Sequence, residues 1–429
     1  MPAIACIARF DAARNRYLAV DFDGGEVVEQ KTLLAIVLGL VVAALLFFLW
    51  RRPSASKISP SPGIPAIEKK WEFTAGGKIF GALAMADDGT LYAAAEDGFV
   101  YALNGSGNLQ WKTYIGPTRS APSVGPDGAI YIANSNGRVL ALNHSGTVRW
   151  TADVYQGNAW GENGSAIGRD YLYIPARGSL CAVRLSNGQV DWQSRWGGEQ
   201  WGAVTLLPDG TTLSPGRGRL NGIDSRGEIA WQYPPLTDEA VQNNGGYPPP
   251  GAFFVSTGIA VDGNRTLYAG LGRERFVAMA PDGAPKWELK TLAGYQLNRA
   301  TPVISADGTI FFAGADAKLY ALDSFGTTKW SLAMDGPILG TPALAEDGTI
   351  FVANGRNLSA VSPDGKILSQ VIIGTGAQAS LTLAPDGTAY VATYEAKVIG
   401  YTGGHGGLMN SPWPKYQADL ANTGVAHSF

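Results

Sequence analysis

The sequence has 429 residues, with 33 Lys and Arg against 36 Asp and Glu, so its net charge of −3 excludes a phosphate-backbone binder driven by electrostatics. Hydrophobic residues at 45%, charged residues at only 16% and 56 glycines exclude a disordered charged tail and describe a packed, turn-rich chain. Two cysteines, Cys6 and Cys181, and three histidines are too few for a disulfide framework, a Cys-rich zinc site or a His-rich metal centre, so no metal site is expected.

Taken in chain order, residues 1–32 are too few for a sizeable core, and the alternation in RYLAVDFDG predicts at most a short hairpin without an assigned function. Residues 33–50, LLAIVLGLVVAALLFFLW, form an uncharged apolar run of 18 residues with no polar stripe, which predicts one transmembrane helix. Arg51 and Arg52 stand where a cleaved signal would need small residues, so the helix is expected to remain as an anchor. Residues 51–69 are rich in Pro and Ser and read as an extended linker. Five basic residues follow the helix against three before it, a bias toward a cytoplasmic C-terminal part.

From residue 70 to 429 one unit repeats. An Asp-Gly turn precedes a β-rich pair at Asp88, Asp127, Asp209, Asp262, Asp307, Asp347 and Asp386, and Arg169 opens a degenerate eighth copy. Starts are 39 to 53 residues apart, the length of a four-stranded propeller blade. Asp-Gly and Asn-Gly supply tight hairpin turns, and aromatic and β-branched runs suit pleated strands. An aromatic recurs on the second strand at Tyr92, Tyr131, Tyr173, Tyr268, Phe311, Phe351 and Tyr390, with Leu213 the exception. Trp111, Trp150, Trp192, Trp231, Trp287 and Trp330 close six units, and Ser369 stands at that place in the seventh. Trp71 has the fourth-strand pattern but precedes the first unit, which predicts that the N-terminal strand completes the last blade and closes the ring. The expected fold is all-β, an eight-bladed β-propeller of four-stranded antiparallel blades, with Trp71 and the other periodic tryptophans packing between sheets as structural residues.

Units of the form D-G-T-[IL]-[YF]-[VA]-A, then A-L-[ND]-x-x-G, then W resemble the pyrroloquinoline-quinone (PQQ)-like repeats of quinoprotein-type β-propellers, including the BamB-like propellers. The C-terminal SPWPKYQADLANTG resembles the W-P-x-[FY]-x-x-D-x-x-x-T-G segment of that family. The resemblance implies the propeller fold and an exported, membrane-associated protein. For the dehydrogenase branch it implies a quinone with calcium and an Asp base. Here AVRLSNGQVDW has the dehydrogenase spacing but lacks its Asp and Thr, and no adjacent cysteine pair exists. No cofactor is therefore predicted, and PQQ with calcium stands as the alternative.

In such a ring the connections into the innermost strands surround the channel mouth, where polar side chains converge. Arg119 and Arg299 occupy equivalent places there, with Glu162, Asn163, Gln200, Trp201, Asn298 and Gln378 nearby. Two guanidiniums on one axis suit a carboxylate or phosphate, and the competing structural reading pairs them with Glu162 and Glu199. The connection over residues 232–254 is long enough to be functional, and Tyr233, Tyr247, Phe253 and Phe254 are its candidate partner-binding aromatics. No nucleophile elbow, phosphate loop or H-E-x-x-H motif is present, and no catalytic residue is assigned. The expected function is a membrane-tethered binding or scaffold module for an envelope protein or polymer, outside the cytoplasm in the periplasm or at the cell surface. The alternatives are a PQQ-dependent dehydrogenase or a polysaccharide-active enzyme on the same scaffold.

Overall fold

The computed structural model describes residues 7–11, 16–20, 66–154, 164–176, 178–195, 202–216, 219–233, 258–271, 275–290, 300–314, 316–374, 376–377 and 380–426. The chain divides into two units, Met1–Lys57 and Ile58–Phe429. In the first, Ile7–Asp11 and Arg16–Val20 pair as an antiparallel hairpin, as the alternation predicts. The expected transmembrane span, 33–50, lies outside the described residues, among which no helix is long and apolar enough to cross a membrane.

The second unit is an eight-bladed propeller of four-stranded antiparallel sheets. In blade 1 the chain runs outward from the axis through Ala84–Met85, Leu91–Ala94, Phe99–Leu103 and Leu109–Tyr114. Blades 2 to 7 repeat this order. Blade 8 takes three strands from the end of the chain, Thr382–Leu383, Thr388–Ala392 and Lys397–Thr402, and its outer strand from the beginning, Glu68–Thr74. This closes the ring as the displaced Trp71 predicts. The strand begins at Glu68, inside the expected linker, because a bulge between Lys69 and Trp71 extends its pairing as far as Thr402.

Each repeat residue has a physical task. The turn aspartates accept the backbone N–H two residues on: Asp88 from Thr90 at 2.9 Å, Asp209 from Thr211 at 2.9 Å and Asp386 from Thr388 at 2.9 Å. This fixes the hairpin between first and second strands. The second-strand aromatics, and Leu213 in their place, are all buried.

The tryptophans join neighbouring blades. The Trp111 ring stands 5.8 Å from Tyr92 in its own blade, while its indole N–H reaches across to the His144 carbonyl of blade 2 at 2.8 Å. The same step of about one blade links Trp71 to Gly105, Trp150 to Leu185, Trp192 to Ser225, Trp287 to Ser324 and Trp330 to Pro363. Each ring lies against a glycine in that neighbouring turn. A Cβ on Gly107 would come within 2.4 Å of the Trp71 ring, and one on Gly283 within 2.4 Å of Trp231. Opposite the tryptophan within its own blade the partner is small, Ala102 for Trp111 and Gly222 for Trp231, and a bulge follows at once. The periodic tryptophans are therefore packing and hydrogen-bonding clasps, placed where flat rings exclude water between twisted sheets.

Candidate functional site: the two ends of the channel

The connections into the innermost strands and the turns between second and third strands share one end of the ring, the front face. The turns between first and second and between third and fourth strands share the other, the back face.

On the front face the structure describes one of the eight channel-mouth candidates. Arg119, in the connection into blade 2, donates from Nε to Glu96 at 2.8 Å and from Nη2 to the same oxygen at 2.6 Å. Its guanidinium also lies 4.5 Å over the Phe80 ring, which meets Tyr394 edge-on at 6.2 Å. Among the described residues its charge partner is Glu96, in the turn between second and third strands of blade 1. The sequence hides this pair because blade geometry, not chain proximity, brings the two turns together. Glu162, Asn163, Gln200, Trp201, Asn298, Arg299 and Gln378 lie outside the described residues, as do Tyr247, Phe253 and Phe254. Tyr233 is described. It ends the outer strand of blade 4 opposite Leu220 and packs, half-buried, on the core shared by blades 4 to 6.

The back face is closed by a segment to which the sequence assigned no role. Residues 403–426 leave blade 8 and cross the channel as a strap that bonds innermost strands one after another. The Glu346 and Ile304 amides donate to the Gly407 and Trp413 carbonyls, and Leu344 to Pro414. Beyond a turn, Met85, Val124, Ile167 and Leu206 donate in order to Leu420, Ala421, Thr423 and Gly424. These are second residues of their two-residue strands, apart from Glu346, so their N–H groups point to the axis and would otherwise face solvent in the channel. Six of eight blades are tied in this way. Trp413 is 1% exposed.

The turn of the strap is organised by Lys415, which is wholly buried. Its Nζ donates to the Tyr416 carbonyl at 2.9 Å, the Asp419 carbonyl at 2.8 Å and Asn422 Oδ1 at 2.6 Å, one acceptor for each proton of an ammonium. Burial pushes this amine down to about 7, and the negative charge of Asp419 opposes the shift. Asn422 in turn donates to Pro122, and Gln417 to Ser165, so the strap also reads blades 2 and 3 through side chains. Where the strap begins, buried His405 holds Asp347 from Nδ1 at 2.7 Å.

Burial pushes the Cys181 thiol up to about 12, which keeps it protonated at neutral pH. No group of three His, Cys, Asp or Glu among the described residues is placed to hold a metal. The quinone of the dehydrogenase branch finds neither adjacent cysteines in the chain nor an acidic calcium cluster among the described residues.

These features define a repeat propeller with a tryptophan clasp between blades. The family described as outer membrane protein assembly factor BamB matches residues 49–211 and 293–362, more than half of the chain, and the chain belongs to that family of PQQ-like repeat propellers. Among solved structures, the crystal structure of BamB from Moraxella catarrhalis is similar, with a TM-score of 0.63 and 15% sequence identity, over 79% of this chain and 100% of that one. At that identity the likeness is one of fold. No curated protein matches the chain.

Proposed function

We propose that this protein is a membrane-tethered, non-enzymatic propeller that presents its front face and the 232–254 connection to a protein or polymer of the cell envelope, outside the cytoplasm. The observation that carries this reading is the asymmetry of the ring: the back end of the channel is filled by the chain's own strap, whereas the described front connections bond to one another, Gly258 to Thr301, Thr301 to Thr341 and Thr341 to Ser380, with no segment crossing them among the described residues. Membership of the BamB family supports an assembly or scaffold role over turnover. The apolar run at 33–50 supports the tether.

The test is site-specific photo-crosslinking of the full chain in its native membrane. A crosslinker at exposed Lys78 on the front face is expected to trap a discrete envelope partner, and one at exposed Ser106 on the back face is not. Adducts confined to Ser106 would overturn the assignment of faces. Dye-linked oxidation of alcohols or sugars on addition of PQQ and calcium would overturn the non-enzymatic reading. A reporter fused after Phe429 that is active only in the cytoplasm would overturn the placement.

A further inference from the structure

One back-face cleft, between blades 2 and 3, departs from the repeat in charge. Seven blades carry an aspartate in the first-strand turn, and in three of them a Lys or Arg of the same blade pairs with it: Arg149 binds Asp127, Lys329 lies 3.7 Å from Asp307, and Lys70 lies 3.3 Å from Asp386. Those three cations sit immediately before the blade's clasp tryptophan. Blade 3 departs from the pattern, with Arg169 beside Asp170 in the turn and Asp191 before Trp192. Arg169 and Asp191 do not pair. Asp191 is taken by Arg184, at 2.8 Å from Nε and 2.7 Å from Nη2, and by the Tyr171 hydroxyl at 2.7 Å. Arg169 is left exposed, with no ion pair to a described residue.

Around it the chain makes a cavity of about 930 Å³, lined by Arg149, Arg169, Arg184, Asp127, Asp170 and Tyr171, with Ser186 and Asn187. The third-to-fourth-strand turn of blade 3 is one residue longer than in blade 2, with the Arg184 amide donating to Gln189, and Leu185 bonds back to the Asp170 carbonyl at 3.0 Å. This holds Ser186 and Asn187 at the rim. Arg149 is fixed by Asp127 and by Asn143 at 2.7 Å through Nε and Nη1, and Arg184 by Asp191 through Nε and Nη2. Nη2 of Arg149 and Nη1 of Arg184 lie outside these bonds. Two pre-set guanidiniums and one without an ion-pair partner therefore line one cleft, an arrangement that matches the forked acceptors of phosphate and carboxylate.

We propose that this cleft binds a multivalent oxyanion, a phosphate-bearing group in particular, with Arg169 as its principal contact. The proposal is independent of the front-face partner. The experiment is calorimetric titration of the full chain with inorganic pyrophosphate, and separately with dihexanoyl phosphatidic acid, at low and physiological salt. One-to-one binding is expected, weakened about tenfold or more in Arg169→Asp, which restores the repeat's own residue type in an exposed turn, and less in Arg169→Lys, which keeps the charge without the fork. An unchanged melting temperature shows that Arg169→Asp is folded. Tighter binding of the lipid assigns a membrane headgroup as source, and tighter binding of pyrophosphate a soluble or polymer-borne phosphate. Equal affinity in wild type and Arg169→Asp, or no heat with either probe, would overturn the proposal.

Discussion

Seven of the eight junctions between blades carry a tryptophan, and the seam between blades 7 and 8 carries Ser369. At all seven the ring lies on a glycine of the next blade's third-to-fourth-strand turn, and at six the indole also donates to a carbonyl in that turn, as Trp330 does with Gly365 and Pro363. At the seam no such turn exists, because the third strand of blade 8 comes from residues 397–402 and the fourth from residues 68–74. Ser369 is buried there and accepts the Ile67 amide at 3.2 Å, and the Ile67 side chain enters the core of blades 7 and 8 beside Phe351 and Tyr401. The missing tryptophan is thus a consequence of ring closure. The strap supplies a second tie, since it bonds blade 7 on one side of the seam and blade 1 beyond blade 8.

The comparison breaks most sharply at a clasp. Trp330→Ala removes the ring contact with Phe311 and the bond to Pro363, and is expected to destabilise the propeller by about 3–4 kcal/mol in chemical denaturation. A loss no larger than that of Ser369→Ala would mean that the indoles are not clasps. The facing glycines sharpen the point. Gly107 has φ +80° and no room for a Cβ against Trp71, whereas Gly89 has φ +84° with nothing within 4 Å. Gly107→Ala is expected to cost about 2–3 kcal/mol and Gly89→Ala about 1, the excess measuring the indole contact apart from backbone strain.

The strap is probed through Lys415. Lys415→Met leaves three oxygen acceptors without a donor and is expected to cost about 1–2 kcal/mol, softened by removal of a buried charge. The pH dependence separates the two effects. Because burial lowers the folded amine to about 7, well below the ordinary lysine range, the folded state releases its proton first, so the contribution of this group to stability rises as pH increases above 7 and is lost as pH falls through 7. Melting temperatures of wild type relative to Lys415→Met should climb from pH 7 to 9. A constant difference would mean that the ammonium persists throughout that range.

The ring was legible because its devices are local and periodic: Asp-Gly turns, second-strand aromatics and spaced tryptophans each repeat with the blade, and Trp71 announces the closure by standing out of place. The strap was not legible. Its bonds are made by backbone groups of residues 407–424 to strands up to 335 residues away, and SPWPKYQADLANTG has no strand period to mark them. Arg119 shows both outcomes at once. Its place at the channel mouth followed from the repeat, while its partner Glu96 depended on two turns of one face meeting in space.

The smallest expected effect tests whether Ser369 is a defect or a fitted replacement. Ser369→Ala deletes the acceptor of the buried Ile67 amide and is expected to cost about 1 kcal/mol. If the seam were an unfilled clasp, Ser369→Trp would instead stabilise the ring. The geometry argues against that gain, since Ile67 already fills the space and no third-to-fourth-strand turn of blade 8 offers the carbonyl and glycine that the other indoles use. Ser369→Trp is therefore expected to destabilise by about 1–3 kcal/mol through overpacking. Hydrogen exchange would show that loss in the Glu68–Thr74 strand before blades 2 to 6, because that strand reaches its blade from the far end of the chain and has no covalent turn to hold it in register.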